Sequence, residues 1–388
     1  MNKKELLLKY ESKFKKSVDY RYYFSPGRIN VIGEHIDYNG GLVFPCAISL
    51  GTYAVISLRN DSKVCLFSEG VSQTGVIKFD LNKELKKFSN WADYVKGVID
   101  ETKKLGCNVK QGFNAYVYGN LPRGASVSSS ASLELLFAKI INDLNDLQLS
   151  DLQLVKISQS AENNFVGLRC GIMDQFAIGM SKKDHAILLD CASIKYEYVP
   201  LELKDNVILI MNTNKSRSLV TSKYNERCDE CAQGLSAIQH GYKHINFLCE
   251  LEAAELENVK KLNLDDVVYN RVLHVVGEMD RVKKTYNALK SGDLQTVGKL
   301  LNESHKSLKE NYEVTGKELD TIVEVAQKQE GVLGARMIGA GFAGCAIAIA
   351  NKNYIDQIIL KVKEEYKNII GYDCDIYVAQ TSDKTGQL

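Results

Sequence analysis

A hydroxyl-rich loop at residues 121–132 has the composition of a phosphate-binding site. It opens with Gly124 and Ala125, whose small size lets the backbone pass close to a ligand, and continues with a run of serines. Apolar residues then recur at helical spacing, at Leu133, Leu136, Phe137, Ile140, Ile141 and Leu144. They predict a helix whose first amide groups and positive dipole end would face a bound anion. The alternative is an ordinary serine-capped helix after a turn.

A second cluster of reactive side chains lies near the start of the chain. Pro26 and Gly27 predict a break in regular structure, and ionisable or amide side chains then stand among Ile and Val residues. These side chains are Arg28, Asn30, Glu34, His35 and Asp37. Polar groups on an apolar scaffold are typical of a functional site. A charged loop with internal ion pairs is an equally good interpretation of this segment alone.

Two further acids have settings that suggest chemistry. The capping-box pattern Ser150 to Gln153 predicts the start of a helix that carries Glu162 and then enters a glycine-bearing turn. Asp174 follows in the segment Gly171 to Phe176, an acid among apolar residues. Each has an ordinary alternative, because a single Glu on a helix is most often solvated and Asp is a common helix N-cap.

The elements that would position these residues can be outlined from periodicity. Residues 3–16 resemble a short amphipathic helix, and strands are predicted over 53–58, 64–67 and 113–118, with Ser68 directly after the second. A helix is predicted after Trp91, ending near Lys104. The strand at 113–118 would enter the serine loop, and a strand, a Gly/Ser loop and a helix in succession strengthen the phosphate interpretation.

The second half of the chain begins with an apolar run at 207–211 that predicts a buried strand. A polar, loop-like stretch follows at 212–222, and we place a domain boundary near residue 205. Helical patterns fill roughly residues 223–330, and a run of small residues at 330–346 leads into a strand. The predicted domains are therefore 1–205 and 206–388.

Bulk composition narrows the class of protein. The 388 residues are 45% hydrophobic and 25% charged, which fits a globular protein of two domains or one large one. A net charge of +1 gives no global basic field for nucleic acid or membrane, and no apolar run is long enough to span a bilayer. Ten cysteines without framework spacing, after a charged start that does not resemble a signal peptide, predict reduced thiols and a cytoplasmic location.

One pattern could be mistaken for a metal site. Cys228 and Cys231 form C-x-x-C, and His240 and His244 follow. Structural zinc sites use such ligands with a longer central spacer, and this region is predicted to be helical. We therefore expect the two cysteines to share a helix face without zinc.

Three segments together resemble the motifs of the GHMP small-molecule kinases, and one of them is specific to galactokinases. The serine loop resembles P-x-G-x-G-L-S-S-S-A, with Ser126 for the second Gly and Val127 for Leu. The segment from Gly27 to Gly41 resembles the galactokinase signature G-R-x-N-x-I-G-E-H-x-D-Y-x-x-G, with Ile36 where Thr is usual. The run from Gly334 to Cys345 resembles G-A-R-M-T-G-G-G-F-G-G-C, with Ile338, Ala340 and Ala343 as departures.

The resemblance implies a two-domain α/β (α+β) fold with an active site between the domains. The N-terminal domain would be ribosomal-protein-S5-like and the C-terminal domain a ferredoxin-like α+β unit. The implied reaction is the transfer of phosphate from ATP, with Mg²⁺, to the anomeric hydroxyl of α-D-galactose. The implied partners are small-molecule substrates without nucleic acid or membrane, and the chain would be a monomer or a weak homo-oligomer.

The resemblance also assigns roles residue by residue. Asp174 and Arg28 would be catalytic, and Ser130 and Glu162 would bind Mg²⁺. The nucleotide would contact Ser68, Gly124, Ala125, Ser126, Val127, Ser128, Ser129 and Ser130. The sugar would contact Glu34, His35, Ile36, Asp37, Gly171 and Tyr224. Two alternatives stay open: a GHMP kinase for another sugar, such as N-acetylgalactosamine or L-arabinose, and a catalytically silent galactose sensor.

Overall fold

Helices and strands alternate along the chain, as the predicted α+β class requires. The computed structural model describes residues 3–122, 124, 126–168, 170–216 and 220–388, with backbone alone for 220–222. The strands are β1 Arg21–Asn30, β2 Leu42–Val43, β3 Pro45–Leu58, β4 Lys63–Ser68, β5 Ile77–Asp80, β6 Phe113–Gly119, β7 His185–Asp190, β8 Tyr196–Pro200, β9 Asn206–Asn212, β10 Val332–Met337, β11 Cys345–Asn351, β12 Asp375–Ala379 and β13 Gly386–Gln387.

Two helices precede the serine loop, three follow it in the first half of the described chain, and the other six lie in the second half. They are α1 Lys3–Glu11, α2 Ala92–Lys104, α3 Ser129–Leu144, α4 Asp151–Ser160, α5 Met173–Met180, α6 Val220–Gln239, α7 Leu256–Lys260, α8 Asp266–Lys290, α9 Leu294–Glu310, α10 Lys317–Gln327 and α11 Ile355–Ile370. Within the described residues, no helix is both long and apolar enough to cross a bilayer.

The first sheet has the strand order β13-β1-β3-β6-β4-β5. Its neighbours are antiparallel except for β4 and β6, which run parallel, so the ends of both strands meet at one edge. Helices α2 to α5 pack together beside it over a common apolar core. The parallel pair places Ser68 level with Val117, just before the serine loop, and that loop is therefore held at the edge of a buried sheet.

Strand β1 corrects one prediction, because Pro26 and Gly27 do not end regular structure. The strand continues through both residues, with a register shift against β3 between them. A side chain at Gly27 would lie 2.5 Å from Leu121 Cδ2 and 2.8 Å from the Val127 carbonyl oxygen. The bulge thus brings the strand against the serine loop, a close approach that only glycine permits.

The second sheet, β10-β11-β9-β12, is antiparallel throughout and is built from the second half of the chain. It confirms the buried strand predicted at 207–211 and the strand predicted after the run of small residues, which is β11. The first part of that run is itself a strand, β10. A small third sheet joins β2, β7 and β8. The boundary near residue 205 stays a prediction, although β13 returns from the end of the chain to pair with β1.

Several helix boundaries can be compared with their predictions. The capping box at Ser150 and Gln153 forms as expected, and α2 runs from Ala92 to Lys104. The predicted end of α1 is wrong by about a turn, because the helix ends at Glu11. It does not continue through the lysine-rich run that follows, whose like charges disfavour a helix. Helix α6 begins at Val220, inside the stretch predicted as loop, of which residues 217–219 lie outside the described part.

Candidate active site

Two adjoining cavities are lined by the residues that the sequence singles out. The signature cavity, about 260 Å³, is lined by Arg28, Asn30, Gly33, Glu34, His35, Asp37, Tyr38, Cys170, Gly171, Met173, Asp174, Tyr224, Gly339 and Ala340. The loop cavity, about 290 Å³, is lined by Arg28, Pro122, Gly124, Ser126, Val127, Ser128, Ser129, Ser130, Asp174, Gly339 and Ala340. The two linings share Arg28, Asp174, Gly339 and Ala340, so the Asp174 carboxylate stands between them.

Asp174 is held by a pair of parallel hydrogen bonds from Arg28. The guanidinium Nε donates to Oδ1 and Nη2 to Oδ2, each at 2.8 Å. Nη1 of Arg28 donates to the Ser126 carbonyl oxygen, and Ser128 Oγ donates to Asp174 Oδ2. Such bidentate, charge-assisted pairs fix orientation as well as charge. The side chain of Asp174 is still 31% exposed, so one edge of the carboxylate is accessible from the cavities.

Glu34 is fixed by contacts that reach across the sequence. Its Oε2 lies 2.9 Å from Nη2 of Arg336, its Oε1 accepts from the Gly339 amide at 2.7 Å, and Asn30 Nδ2 donates to Oε2. Arg336 is fully buried and also donates to the Val31 carbonyl oxygen at 3.0 Å. Burial raises the pKa of the Glu34 carboxyl, and the Arg336 guanidinium opposes that shift. Little of the bonding capacity of Glu34 is left over.

Helix α8 supports the same turn from behind. Oε1 of Glu278, a fully buried acid paired with Arg281, accepts from the Gly33 amide at 3.0 Å. Burial would raise the pKa of Glu278, but the Arg281 charge and its other neighbours lower it to about 2. His274 Nε2 lies 3.2 Å from the Glu34 carbonyl oxygen, which can only accept, so this nitrogen carries the hydrogen. The turn that carries Glu34 is thus tied to a helix more than 200 residues away in sequence.

His35 has a defined tautomer for the same reason. Its Nε2 lies 3.2 Å from the Ala340 carbonyl oxygen and therefore donates, while Nδ1 accepts from the Tyr38 hydroxyl at 2.8 Å. Tyr38 in turn accepts from Tyr312 at 2.7 Å, and Tyr312 accepts from the Cys231 thiol at 3.1 Å. Burial, aided by nearby positive charges, lowers the pKa of His35 to about 3. The ring is therefore neutral at pH 7.

Asp37 is a further acid in the lining of this cavity, and its carboxylate is within hydrogen-bond reach of the backbone amides of Asp37 and Tyr38. Burial and the charge of Glu34 raise its pKa to about 6. A Cβ on Gly171 would come within 3.9 Å of its Oδ2, so a side chain there would narrow the cavity beside the acid. Tyr224 faces the same space from α6, with its ring centroid 5.7 Å from that of His35. Asp37, Tyr224 and His35 thus line one side of the cavity with hydrogen-bonding side chains.

The serine loop presents backbone more than side chains. Gly124, Ser126 and Ser128 all have left-handed backbone angles, with φ of 72°, 54° and 58°. Alternation of left-handed residues turns successive amide groups towards one side, which is how nests bind anions. Ser128 stands at the N-terminal end of α3, where the first helical amides are unpaired. The Gly at position 126 in the family motif thus corresponds to a backbone angle that a side chain strains.

An acidic pocket lies beside this loop. Glu162 sits in a π-helical turn after α4 and is within hydrogen-bond reach of the Ser130 hydroxyl. Its Oε2 also accepts from Gln175 Nε2 at 2.7 Å and from the Cys170 thiol at 3.4 Å. Burial raises the pKa of Cys170, so its thiol stays a donor, and burial with the neighbouring Glu162 raises the pKa of Glu134 to about 9. Single π turns are frequent at functional sites.

Most predicted site residues that the structure describes come together here, and two do not. Ile36 is fully buried in the apolar core and lines neither cavity, and Ser68 lies at the end of β4 outside both linings. Glu162 also lies outside both cavity linings, but it is within hydrogen-bond reach of Ser130. Ala125 lies outside the described residues. Cys228 and Cys231 share helix α6, as expected. Within the described part of the chain, no group of three or more His, Cys, Asp and Glu side chains is arranged to hold a metal.

Sequence reasoning missed several residues that support the site from behind. They are Arg336, His274, Glu278 and Tyr312 in the second half of the chain, and the pair Glu134 and Gln175 in the first half. One signal was available for Arg336, a single charged residue in a run of small and apolar residues that becomes the buried strand β10. The others stand on helices, except for Tyr312, which lies just after α9. A polar residue is ordinary at such positions, so only the folded chain shows that they are buried.

Comparison with known proteins agrees with this geometry. Residues 8–58 match the family model described as the galactokinase galactose-binding signature, 93–182 the GHMP kinases N terminal domain, and 286–368 the GHMP kinases C terminal model. The chain is 48% identical to the galactokinase of Clostridium acetobutylicum, over 97% of this chain and 96% of the relative. It is 50% identical to that of Staphylococcus saprophyticus, over 98% of each.

The chain belongs to the galactokinase family. A crystal structure of Lactococcus lactis galactokinase complexed with galactose is 46% identical to it, with a TM-score of 0.91 over 99% of both chains. A mevalonate kinase structure, at 18% identity and a TM-score of 0.68 over 94% of this chain and 99% of its own, shares the fold. This member of the galactokinase family is therefore an ATP-dependent sugar kinase with small-molecule substrates and the activity of a galactokinase.

Proposed function

We propose that the signature cavity binds α-D-galactose with its anomeric hydroxyl towards Asp174, while the loop cavity binds the phosphates of ATP. The products would be galactose 1-phosphate and ADP. The observation that carries this proposal is that Asp174 and Arg28 line both cavities, so the acceptor hydroxyl and the transferred phosphate can meet at one carboxylate. Phosphoryl transfer depends mainly on such positioning and on charge stabilisation.

Asp174 would accept the proton of the anomeric hydroxyl as phosphate is transferred. Its Oδ atoms are fixed by Arg28 and Ser128, which leaves the carboxylate oriented before substrate arrives. Arg28 would compensate the negative charge that the base and the transferred phosphate bring together. General-base catalysis of this kind contributes about 10²- to 10⁴-fold to a rate.

The sugar would be recognised by fixed hydrogen-bonding groups. Glu34, His35, Asp37, Gly171 and Tyr224 surround the cavity. The first three stand in the segment that matches the galactokinase signature, which supports their role. Galactose and glucose differ in the direction of one hydroxyl, so a fixed carboxylate at Asp37 can distinguish them where an apolar wall could not. Leaving such a buried group unpaired reduces kcat/KM by about 10⁴-fold in the strongest cases.

The nucleotide side would use the serine loop and the acidic pocket. The backbone of residues 124–130 would hold phosphate. Ser130 and Glu162 supply a hydroxyl and a carboxylate within reach of each other, and such hard oxygen ligands fit Mg²⁺, which usually takes one or two protein ligands plus phosphate and water. When bound, the cation would neutralise phosphate charge. Ser68 and Ile36 lie outside the two cavity linings and receive no role in this proposal.

Two alternatives differ in what they predict. A silent galactose sensor would not need the Arg28–Asp174 pair, and the retention of that pair with Ser130 and Glu162 supports an enzyme. Ile36 and Ile338 leave a kinase for another sugar open from the sequence alone, and the near-full-length similarity to galactokinases argues against it. We expect the chain to act in the cytoplasm as a monomer or weak homo-oligomer, and its free cysteines suit a reducing compartment.

One assay separates these possibilities. Initial rates of ADP release would be measured with galactose, glucose, N-acetylgalactosamine and L-arabinose, using one enzyme preparation. We expect galactose to exceed glucose by at least about a hundredfold in kcat/KM. Equal rates with N-acetylgalactosamine or arabinose would reassign the sugar, and galactose binding without ADP release would favour the sensor.

A further inference from the structure

Gln175 occupies a position that the proposed reaction does not yet explain. Its Nε2 donates to Glu162 Oε2 at 2.7 Å and to Glu134 Oε2 at 3.1 Å, so each N–H of the amide has a carboxyl oxygen as acceptor. Both Gln175 and Glu134 are fully buried. The structure places the amide nitrogen, and not the amide oxygen, on this side, where each of the two carboxyl groups offers an oxygen that can accept.

Three helices meet at this amide. Glu134 lies on α3, one turn after Ser130, Glu162 follows α4, and Gln175 lies on α5. The helices are pressed together, since a Cβ on Gly179 would lie 2.5 Å from Val155 Cγ2 on α4 and 3.0 Å from Leu135 Cδ1 on α3. The amide of Gln175 is therefore carried on a rigid scaffold, with little room for the helices to shift.

Two buried oxygens in this junction have no hydrogen-bond partner within the described residues, Oε1 of Glu134 and Oε1 of Gln175. A buried polar atom without a partner carries a free-energy penalty, so the arrangement is not what stability alone would favour. The penalty is consistent with a cluster that serves the adjacent site.

Asp174 and Gln175 are consecutive on the first turn of α5. Consecutive residues of a helix point about 100° apart, so one side chain faces Arg28 while the next faces Glu162. A single helical turn thus sets the separation between the proposed base and the proposed cation ligand.

We infer that Gln175, with Glu134 as its second acceptor, is a positioning residue that holds the Glu162 carboxylate beside Ser130 for Mg²⁺. The inference rests on the proposed role of Glu162. Gln175 would touch neither substrate nor metal and would act only through that carboxylate. Partners that orient a metal-binding carboxylate typically account for about 10- to 100-fold in metal affinity.

The direct test replaces Gln175 by Met, which has a similar length and volume and no N–H donor. We expect Gln175→Met to raise the half-saturating Mg²⁺ concentration by about tenfold or more, with KM for galactose unchanged. A second readout is the affinity of the enzyme–ADP complex for Mn²⁺, measured by electron paramagnetic resonance without turnover. In Gln175→Met this affinity should weaken by a similar factor.

Two variants of Glu134 separate positioning from packing. Glu134→Gln keeps an oxygen that can accept from Gln175, so Mn²⁺ affinity should stay close to that of the parent chain. Glu134→Leu removes the acceptor and should weaken Mn²⁺ binding, by less than Gln175→Met does. If both variants bind Mn²⁺ equally well, Glu134 has no part in positioning. This comparison also serves if Gln175→Met does not fold.

Ile178→Val is the stability control, because Ile178 is fully buried on the same helix and lines neither cavity. It should lower the melting temperature without changing Mn²⁺ affinity. The inference is overturned if Gln175→Met leaves Mn²⁺ affinity unchanged, or if Ile178→Val weakens it equally. Glu162→Gln identifies the other failure, since unchanged Mn²⁺ binding in that variant would refute the proposed metal ligand itself.

Discussion

The signature cavity and the loop cavity meet at Asp174 but are built in opposite ways. The first depends on buried side chains brought from distant parts of the chain, such as Glu34 with Arg336 and Gly33 with Glu278. The second depends on the backbone of one short segment, in which three residues adopt left-handed angles at the start of a helix. The first region is assembled from side chains of distant segments. The second is one continuous segment, which Arg28 and Asp174 contact from outside.

The difference follows from what each side has to bind. A sugar differs from its isomers in the direction of single hydroxyl groups, so recognition needs acceptors and donors that cannot turn. Phosphate has charge spread over several equivalent oxygens, for which a helix end and adjacent amides are sufficient. Substitutions in the signature cavity should therefore change which sugar reacts, and substitutions in the loop should change nucleotide affinity modestly.

The largest effect should come where the two regions meet. Asp174→Asn keeps the shape of the side chain but cannot take a proton at neutral pH, so kcat should fall by about 10²- to 10⁴-fold. Galactose binding, measured by calorimetry, should survive because the cavity walls are unchanged. Asp143→Asn is a matched control, since this acid pairs with Lys139 at 2.8 Å and lines neither cavity. Near-normal turnover in Asp174→Asn would favour transfer without a base.

The next effect tests the sugar side alone. Asp37→Ala removes the Asp37 carboxylate from the sugar cavity, so kcat/KM for galactose should fall by about a hundredfold, while KM for ATP changes by less than about threefold. The comparison would be broken if the substitution affected ATP as strongly as galactose. Preference for galactose over glucose should shrink in the same variant, because the carboxylate that distinguishes them is gone.

The pH dependence of the rate tests the role of Asp37 in sugar binding while Asp174, the proposed base, stays unchanged. The pKa of Asp37 is raised to about 6, so this carboxylate is present above pH 6 and is protonated below it. We expect kcat/KM for galactose to fall up to about tenfold for each pH unit below 6, with a smaller change in KM for ATP. Asp37→Asn should remove this limb of the profile. An unchanged profile in Asp37→Asn would assign the limb to another group.

The two regions also differ in how far the sequence could predict them. The serine loop and helix α3 are predicted by local signals, and both form where expected. These signals are small residues and hydroxyl groups in the loop and helical periodicity after it. The sequence predicts a break at Pro26 and Gly27, but the structure has a bulge within a continuous strand. Gly27 is needed there because it packs against Leu121 and Val127, about a hundred residues further along the chain. Local rules carry no information about such an approach.

The supports of the signature cavity lie still further beyond local rules. Arg336 reaches back 302 residues to Glu34, and helix α8 contributes His274 and Glu278. Periodicity predicts that α8 is a helix, but it cannot say which polar residue will be buried against a turn far away in sequence. Motif spacing identified the residues that face the cavities, and only tertiary structure identifies those that hold them in place.

The smallest effect is expected at Ser126, where this chain departs from the glycine of the family motif. Ser126 has φ of 54°, and a left-handed angle costs an ordinary residue about 1 kcal/mol. Ser126→Gly should therefore relax the loop and lower KM for ATP by up to about threefold, or leave it unchanged if the hydroxyl itself binds phosphate. KM for galactose should not move.

Ser128→Gly is the informative counterpart, because Ser128 shares the left-handed angle, with φ of 58°, but its hydroxyl donates to Asp174. Ser128→Gly relieves the same backbone strain, but it also removes a hydrogen bond that orients Asp174. We therefore expect kcat to fall in Ser128→Gly and to stay unchanged in Ser126→Gly. Initial rates against ATP concentration for both variants measure this contrast. A large loss of activity in Ser126→Gly would show that the Ser126 side chain, and not only the backbone, binds the nucleotide.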